Sequence, residues 1–379
     1  MNYLSLFSGI EAATVAWKQL GWRCVGFSEI EPFPCAVLAH HYPGIPNLGD
    51  VTKITEQKIK DLGRIDLIVF GSPCQNLSVA GNRQGLEGKE SQLFFEAIRI
   101  INYAKKHNGL RFALWENVPG AFSSNKGADF AAVVREMAGI RDINTPQNGW
   151  GNSGIALGEN GLLEWRMLDA QYFGLAQRRK RVFAILDTGD WASRKPILLE
   201  QESVRGNTTP SREKERETTR TIKRSIIPSR QITQALTTSQ QRLSTNDTYI
   251  ICHGSQTTIS GINKADCVGR NNGLENIVAY NVVADTTPKI GVNIALTMRA
   301  NGGGGIVPSS VAYRSKVRRL TPIECERLQG FPDNYTRIPY RNKPLEQCPN
   351  GPRYKALGNS MAVPVMNWIG KKISMSGDV

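Results

Sequence analysis

Three short stretches carry side chains that could do chemistry together. GSPCQNLS (71–78) places Cys74 just after the apolar run IDLIVF, between Pro73 and Gln75. WENVPG (115–120) ends another apolar run with Glu116 and Asn117, and AQRRKRVF (176–183) supplies Gln177, Arg179 and Arg181. A free thiol has a pKa of about 8.5, and a nearby helix N-terminus or arginine raises its thiolate fraction. Pro73 fixes φ on the approach and stiffens the loop. Isolated cysteines are more often small buried hydrophobes than nucleophiles, so Cys74 alone reads as either. Glu116 alters the balance, because a carboxylic acid of raised pKa facing a thiolate is an acid/nucleophile pair rather than a metal site. Strand alternation sends Arg179 and Arg181 to one side, as a solvated basic edge or as donors to a bound base or phosphate.

A second set lies earlier in the chain. LFSGIEAATVAW (6–17) reads as a strand that turns at Gly9 into a helix, which offers free backbone N–H groups to a ligand. Glu29 ends the next strand, where α/β folds place an acid that hydrogen-bonds a ribose hydroxyl pair. Asp50, in LGDV, closes the following step, where a carboxylate can accept from an adenine amino group. Singly, each acid is an ordinary solvated loop charge. Three strand ends in register make an adenosine site.

The elements that must position these groups follow from periodicity. Residues 4–7, 25–28, 66–70, 112–116 and 181–186 read as strands. Stretches near 11–20, 31–41, 91–106 and 127–138 carry apolar residues at helical spacing. Repeated strand–helix–strand units predict an α/β fold with a mostly parallel sheet, whose ligands bind beyond the carboxyl ends of the strands. Residues 141–160 read as an inserted loop rich in Gly and Asn. From 188 to 317 helical patterning fades, Thr, Ser, Asn and Gln accumulate, and 17 basic residues stand against 10 acidic ones. Strand-like pieces such as TYIIC (248–252) and NIVAYNVV (276–283) favour a small β-rich domain over a linker. The predicted organisation is therefore 1–187, an insert at 188–317, and 318–379 returning to the first part.

Composition narrows the function classes. The chain has 379 residues, 40% hydrophobic and 21% charged, as expected of a water-soluble globular protein of two domains. No stretch approaches the roughly 18 apolar residues of a membrane span, and MNYLSLFSGI lacks the basic start of a signal peptide, so a cytoplasmic protein is expected. Seven cysteines without a C-x-x-C pair argue for free thiols and against a zinc site. A cysteine hydrolase lacks a histidine near any comparable motif. A net charge of +14 suggests a polyanionic partner.

FSGIEAA, GSPCQNLS, SQLFFE, WENVPG, QRRKR, RRLTPIECERLQGFPD and GNSMAVPV occur in the order of the motifs of DNA cytosine-5 methyltransferases, and the chain resembles that family over about 1–187 and 318–375. The resemblance implies a Rossmann-like methyltransferase domain with a smaller, β-rich target recognition domain inserted before the last motifs. It implies S-adenosyl-L-methionine as cofactor, double-stranded DNA as partner, no metal, a monomer, and room for a cognate restriction endonuclease of the same site specificity. Carried over by position, Cys74 is the nucleophile that attacks C6 of a cytosine flipped out of the duplex. Glu116 is the acid at N3, accompanied by Asn117. Arg179 and Arg181 stand near the base and backbone, Arg181 against O2, with Gln75 and Gln177 beside the substrate. Phe7, Gly9, Ile10, Glu29, Asp50, Val51, Pro73, Leu93, Asn359 and Ser360 match cofactor-binding positions. GNRQGLEGK (81–89) supplies glycines that would let the cysteine loop close. The related tRNA-directed branch usually has a shorter insert and a Cys-Phe-Thr signature, and no cysteine here precedes a phenylalanine. One departure stands out: where the family commonly has F-x-G-x-G-G, the last two glycines are Glu11 and Ala12. Glu11 either pairs with the cofactor's amino group or suits a helix N-terminus.

Overall fold

In the computed structural model, residues 1–72, 89–141, 143–199 and 316–376 are described, together with short strands between 270 and 313. Cys74, Pro73, Gln75 and the glycine-bearing segment 81–88 lie outside the described residues. The chain folds as two compact units, the first spanning 1–199 and resuming at Thr321.

The first unit is built on a seven-stranded sheet. Its strands are β1 (Asn2–Leu6), β2 (Arg23–Ser28), β3 (Leu67–Phe70), β4 (Phe112–Asn117), β5 (Ser153–Gly158), β6 (Gly161–Asp169) and β8 (Lys180–Asp187), in the order β2-β1-β3-β4-β8-β6-β5. A two-residue strand, β7 (Gln177–Arg178), precedes β8 and lies outside this sheet. β2, β1, β3 and β4 run parallel, whereas β8, β6 and β5 continue antiparallel from β4. The expectation of a mostly parallel sheet therefore needs correcting for its second half. The helices are α1 (Ala12–Trp17), α2 (Pro32–His41), α3 (Glu56–Asp61), α4 (Lys89–His107), α5 (Ala128–Ala138), α6 (Pro322–Gln329), α7 (Asn350–Asn359) and α8 (Val363–Ser376). None of the described helices is long and apolar enough to cross a membrane.

The parallel half follows directly from sequence. β3 is a run of four buried apolar residues, the pattern of a strand covered on both faces. α4 buries Phe94, Ala97, Ile98, Ile101 and Ala104, spaced three and four apart, against that sheet. Phe94, Trp115, Phe130 and Trp165 form a chain of ring contacts through the core, with centroids 5.6–6.4 Å apart.

Residues 141–160, expected as a loop, contain the edge strand β5. It pairs with β6 through a tight hairpin in which Gly158 faces Gly161 across Glu159 and Asn160. Gly161, the first residue after the turn, takes φ 130°, a conformation that L side chains rarely adopt. Before the hairpin, Trp150 donates its Nε1–H to the Gly127 carbonyl at 2.8 Å and fastens the segment to α5.

Segment 188–199 packs on the first unit, which thus runs past 187 to Leu199. Buried Glu164 on β6 accepts the backbone N–H groups of Ile197 and Leu198 at 3.0 and 2.9 Å. Arg194 bridges Glu164 and Asp187 at 2.6 and 2.5 Å. Of the second unit, strands Lys289–Val292, Val278–Asn281, Ser310–Tyr313 and Lys316–Arg319 form an antiparallel sheet in that order.

After this unit the chain returns through α6, whose start is fixed by a capping box between Thr321 and Glu324. α8 then lies against α1: Trp17 donates Nε1–H to the Met366 carbonyl at 2.7 Å. Gly370 lets the helices approach, since a Cβ there would fall 2.5 Å from Trp17 Nε1.

Candidate active site

Side chains from four neighbouring segments converge at the carboxyl ends of β3 and β4. Glu116, on β4, pairs with Arg181 on β8, with Nε to Oε1 at 3.1 Å and both side chains about seven-eighths buried. Its other oxygen faces Gly71, where an added Cβ would lie 3.2 Å from Glu116 Oε2 and 3.3 Å from Met361 Cε. A side chain there would have to push the carboxylate or Met361 aside by a few tenths of an ångström, so glycine lets the backbone lie close to both. Gly71 stands three residues before Cys74 in the chain.

Ser72, the last described residue before the cysteine, is held at two points. Asn117 donates its Nδ2–H to the Ser72 carbonyl at 3.2 Å, and Trp115 donates Nε1–H to Ser72 Oγ at 3.2 Å. Asn117 Oδ1 accepts the Val118 N–H at 2.8 Å, so its amide is used on both sides. The structure therefore gives Asn117 the task of fixing the root of the cysteine loop. Trp115, Ser72 and Met361 were not singled out in the sequence; the Trp-Glu-Asn triplet at a strand end was the available signal.

Arg179 is buried rather than presented at an edge. Its Nη2 donates to the carbonyls of Gly358 and Ser360 at 3.1 and 2.6 Å, and its backbone N–H donates to Asp169 Oδ1 at 3.0 Å. Burial first, and the like charge of Arg181 second, lower its pKa well below the ordinary range, while Glu116 opposes them. It ties the end of α7 to the strand that carries Arg181. Gln177 is fully buried. Asn359 is exposed at the end of α7, and Ser360 is buried beside it.

A second cluster forms at the ends of β1 and β2. Phe7, Gly9 and Glu11 all take left-handed φ values, 53°, 56° and 64°, so the chain turns sharply three times before α1. An added Cβ at Gly9 would meet nothing within 4 Å, which leaves the turn open on that side. Glu29 Oε2 accepts the Gly9 N–H at 2.7 Å, and Oε1 accepts the N–H groups of Ile30 and Glu31 at 2.8 Å. Its carboxylate is thus oriented by three backbone donors. Asp50 accepts from Thr52 N–H and Oγ1, and these bonds hold its pKa below the usual value. Val51 and Ile10 are buried beneath, while Leu93 and Phe7 are half-buried against the core. Ile30, next to Glu29, is 68% exposed, a large apolar side chain that the sequence reading passed over.

Glu11 is the residue that the sequence left undecided. Its Oε1 accepts from Thr14 N–H and Oγ1 at 3.2 and 3.1 Å, so it caps α1. It is 1% exposed, and burial raises its carboxyl to about 7. Tyr335 braces the same turn from the C-terminal segment, donating its hydroxyl to the Ile10 carbonyl at 2.8 Å. Tyr335 is itself set by buried Glu326, which accepts the flanking N–H groups of Asn334 and Thr336 and pairs with Arg353. Among the described residues no group of His, Cys, Asp and Glu could hold a metal ion.

Comparison with known proteins identifies the family and the fold. A DNA N-6-adenine-methyltransferase of Escherichia phage P1 is 32% identical over 98% of this chain, which spans 61% of that relative's length. Type II methyltransferase M.HhaI of Haemophilus parahaemolyticus is 24% identical over 99% of this chain and 95% of its own. M.HpaII of Haemophilus parainfluenzae is 26% identical, over 98% and 88%. Among solved structures, the Entamoeba histolytica methyltransferase EhMeth superposes with a TM-score of 0.54 at 14% identity, covering 98% of this chain and 97% of its own. A DNMT2 variant of Spodoptera frugiperda gives 0.53 at 17%, covering 98% and 99%. Both likenesses confirm the Rossmann-like methyltransferase fold. The family model for C-5 cytosine-specific DNA methylase matches residues 1–375, and the chain belongs to that family of S-adenosylmethionine-dependent enzymes.

Proposed function

We propose that this chain methylates C5 of a cytosine flipped out of a specific site in double-stranded DNA, through a covalent bond between Cys74 and C6. The observation that carries the reading is the joint placement of Glu116, Arg181 and the anchored root of the cysteine loop at adjacent strand ends. The adenine activity named for the phage relative is not carried over, because the chain spans only part of that protein and bears the cysteine-centred motifs.

C5 of cytosine is a weak nucleophile. Addition of the Cys74 thiolate at C6 makes C5 enamine-like, and Glu116 stabilises that species by protonating or hydrogen-bonding N3. Arg181 orients Glu116 and offers N–H groups to O2. Once C5 carries the methyl group, loss of the C5 proton restores the C5–C6 double bond and expels the cysteine thiolate. A stacked base hides its C6 face, so the base must leave the helix for the thiolate to reach it.

The open turn at Gly9, the oriented Glu29 carboxylate and exposed Ile30 fit an adenosine-bearing ligand. Glu29 would accept from the ribose hydroxyls, Asp50 from the adenine amino group, and Ile30 would cover the base. Phe7, Ile10, Val51, Pro73, Leu93, Asn359 and Ser360 complete the pocket in this reading. Bound there, S-adenosylmethionine supplies an electrophilic methyl group. Residues 188–317, with their basic excess, are assigned to target recognition, and Gln75 and Gln177 to the substrate side, which Asn117 serves by holding Ser72.

Labelled methyl transfer to duplex DNA tests the assignment. Cys74→Ala should abolish it, and duplexes carrying 5-fluorocytosine should trap an adduct at Cys74 by mass spectrometry. Full activity of the variant would remove the cysteine from the mechanism.

A further inference from the structure

Two acids are tied to the turn between β1 and α1. Glu29 holds Gly9 from the half-exposed side, while Glu11 is buried and bonds back to Thr14. Glu11 Oε2 makes no hydrogen bond of good geometry among the described residues, although the Ser5 hydroxyl on β1 acts on the carboxyl and partly offsets the effect of burial. A buried carboxylate with one oxygen so weakly answered is costly, and a cap alone does not require an acid, since serine, threonine or asparagine serve there.

The phenols and the thiol around it are neutral near physiological pH. Thr14 Oγ1 shares a hydrogen bond of 2.7 Å with Tyr3 on β1. Burial pushes Tyr3 and Tyr335 far above the ordinary phenol range, Tyr42 up to about 12, and the Cys24 thiol on β2 well up. Tyr42 and Tyr335 meet through their hydroxyls at 3.1 Å, and the His41 ring stacks on Tyr335 at 4.2 Å. The Glu29 charge reaches across the turn and works against ionisation of Glu11.

We infer that Glu11 reads the charge of the bound cofactor, its buried carboxylate favouring the cationic sulfonium of S-adenosylmethionine over the neutral thioether of S-adenosylhomocysteine. The inference rests on the reading that this turn holds the methyl donor. If the negative charge of Glu29 is felt at Glu11, a cation held at the same turn is felt with opposite sign. It draws the proton from Glu11 and is gripped harder by the resulting carboxylate. Once the methyl group has left, sulfur carries no charge and that grip is lost, which favours exchange of product for fresh donor. Because burial sets Glu11 to about 7, the discrimination strengthens as pH rises through neutrality.

Calorimetric binding of S-adenosylmethionine and S-adenosylhomocysteine, by wild type and Glu11→Gln at about pH 6 and pH 8, tests this. Both ligands share the α-amino group and both proteins share every other side chain, so contributions common to them cancel in the comparison. Gln keeps an acceptor for Thr14. The wild-type affinity ratio of sulfonium to thioether should rise up to about tenfold between the two pH values, and the Glu11→Gln ratio should stay flat. The same rise in both proteins would overturn the inference. Should Glu11→Gln fail to fold, carboxyl ¹³C NMR of the wild type decides. The Glu11 pKa should fall with S-adenosylmethionine and not with S-adenosylhomocysteine, and an equal response to both counts against the idea. Failure of wild type to bind either ligand would reject the cofactor reading itself, whereas binding of both with an unaltered ratio rejects this inference alone.

Discussion

Asn117→Ala separates the anchoring of the cysteine loop from the chemistry. The substitution removes a donor to the Ser72 carbonyl at 3.2 Å and an acceptor for the Val118 N–H at 2.8 Å. Asn117 is buried, so water does not readily replace either partner. A buried polar group left without its bond costs about 1–3 kcal/mol, so a loss of roughly 2–4 kcal/mol in unfolding free energy is expected. Trp115 still holds Ser72 through its hydroxyl, so the root of the loop loosens rather than detaches. A displacement of about 1 Å at a reacting atom can slow a reaction by about 100-fold, and methyl transfer should slow by roughly 10- to 100-fold. Cofactor affinity should hardly change, because Asn117 makes none of the hydrogen bonds that set the Gly9–Glu29 turn. Urea unfolding reads the first effect, single-turnover methyl transfer the second, and calorimetry the third. If Asn117→Ala unfolds at the wild-type urea concentration and transfers methyl at the wild-type rate, the anchoring argument is wrong.

Other perturbations reach different parts of the unit. Burial raises the Glu11 carboxyl from 4.5 to about 7, so the folded chain holds that proton more tightly than the unfolded one. Stability from this source is full below the unfolded pKa and lost as pH rises through about 7. Wild type should therefore lose on the order of 3 kcal/mol relative to Glu11→Gln between about pH 5 and pH 8.5. Parallel pH profiles in urea unfolding would contradict this. Gly370→Ala drives a Cβ to 2.5 Å from Trp17 Nε1 and should cost about 1–3 kcal/mol; an unchanged Tm would show that α1 and α8 can part without strain. Arg179→Lys keeps a cationic side chain but shortens the arm whose Nη2 alone donates to both the Gly358 and Ser360 carbonyls. It should weaken S-adenosylmethionine binding several-fold by freeing Ser360, and wild-type affinity would dissociate Arg179 from that pocket.

The parallel half of the sheet was legible because its strands are short apolar runs separated by amphipathic helices, patterns set by burial on both faces. β5 was not, because it is an edge strand with Ile155 and Leu157 turned outward and glycines at both ends of its pairing. Its composition is that of a loop, and only the short apolar alternation Ile155, Leu157 beside the glycine-bounded turn betrays it. At the site, strand ends named Glu116, Arg181, Gly9 and Glu29 because their positions follow from the α/β plan. The partners of Asn117 and Arg179 are set by contacts 45 and up to 181 residues away in the chain, which no local pattern encodes. The tasks of Ser72, Tyr335 and Glu11 emerged only from the folded arrangement, since each depends on which backbone group another segment brings near.

The hydrogen bond from Trp17 to Met366 joins positions 349 residues apart. On a ribosome, α1 must wait for 349 further residues before its partner in α8 exists, so the turn that leads into α1 is secured late. The entropy of closing such a loop grows only logarithmically, each doubling of length adding about 0.6 kcal/mol. Residues 188–317 can therefore lengthen, shorten or be exchanged at small cost to the fold that encloses them. A scaffold closed in this way lets the segment between its two parts diverge faster than the sheet it interrupts, and on the proposed reading that segment is the one that chooses the target.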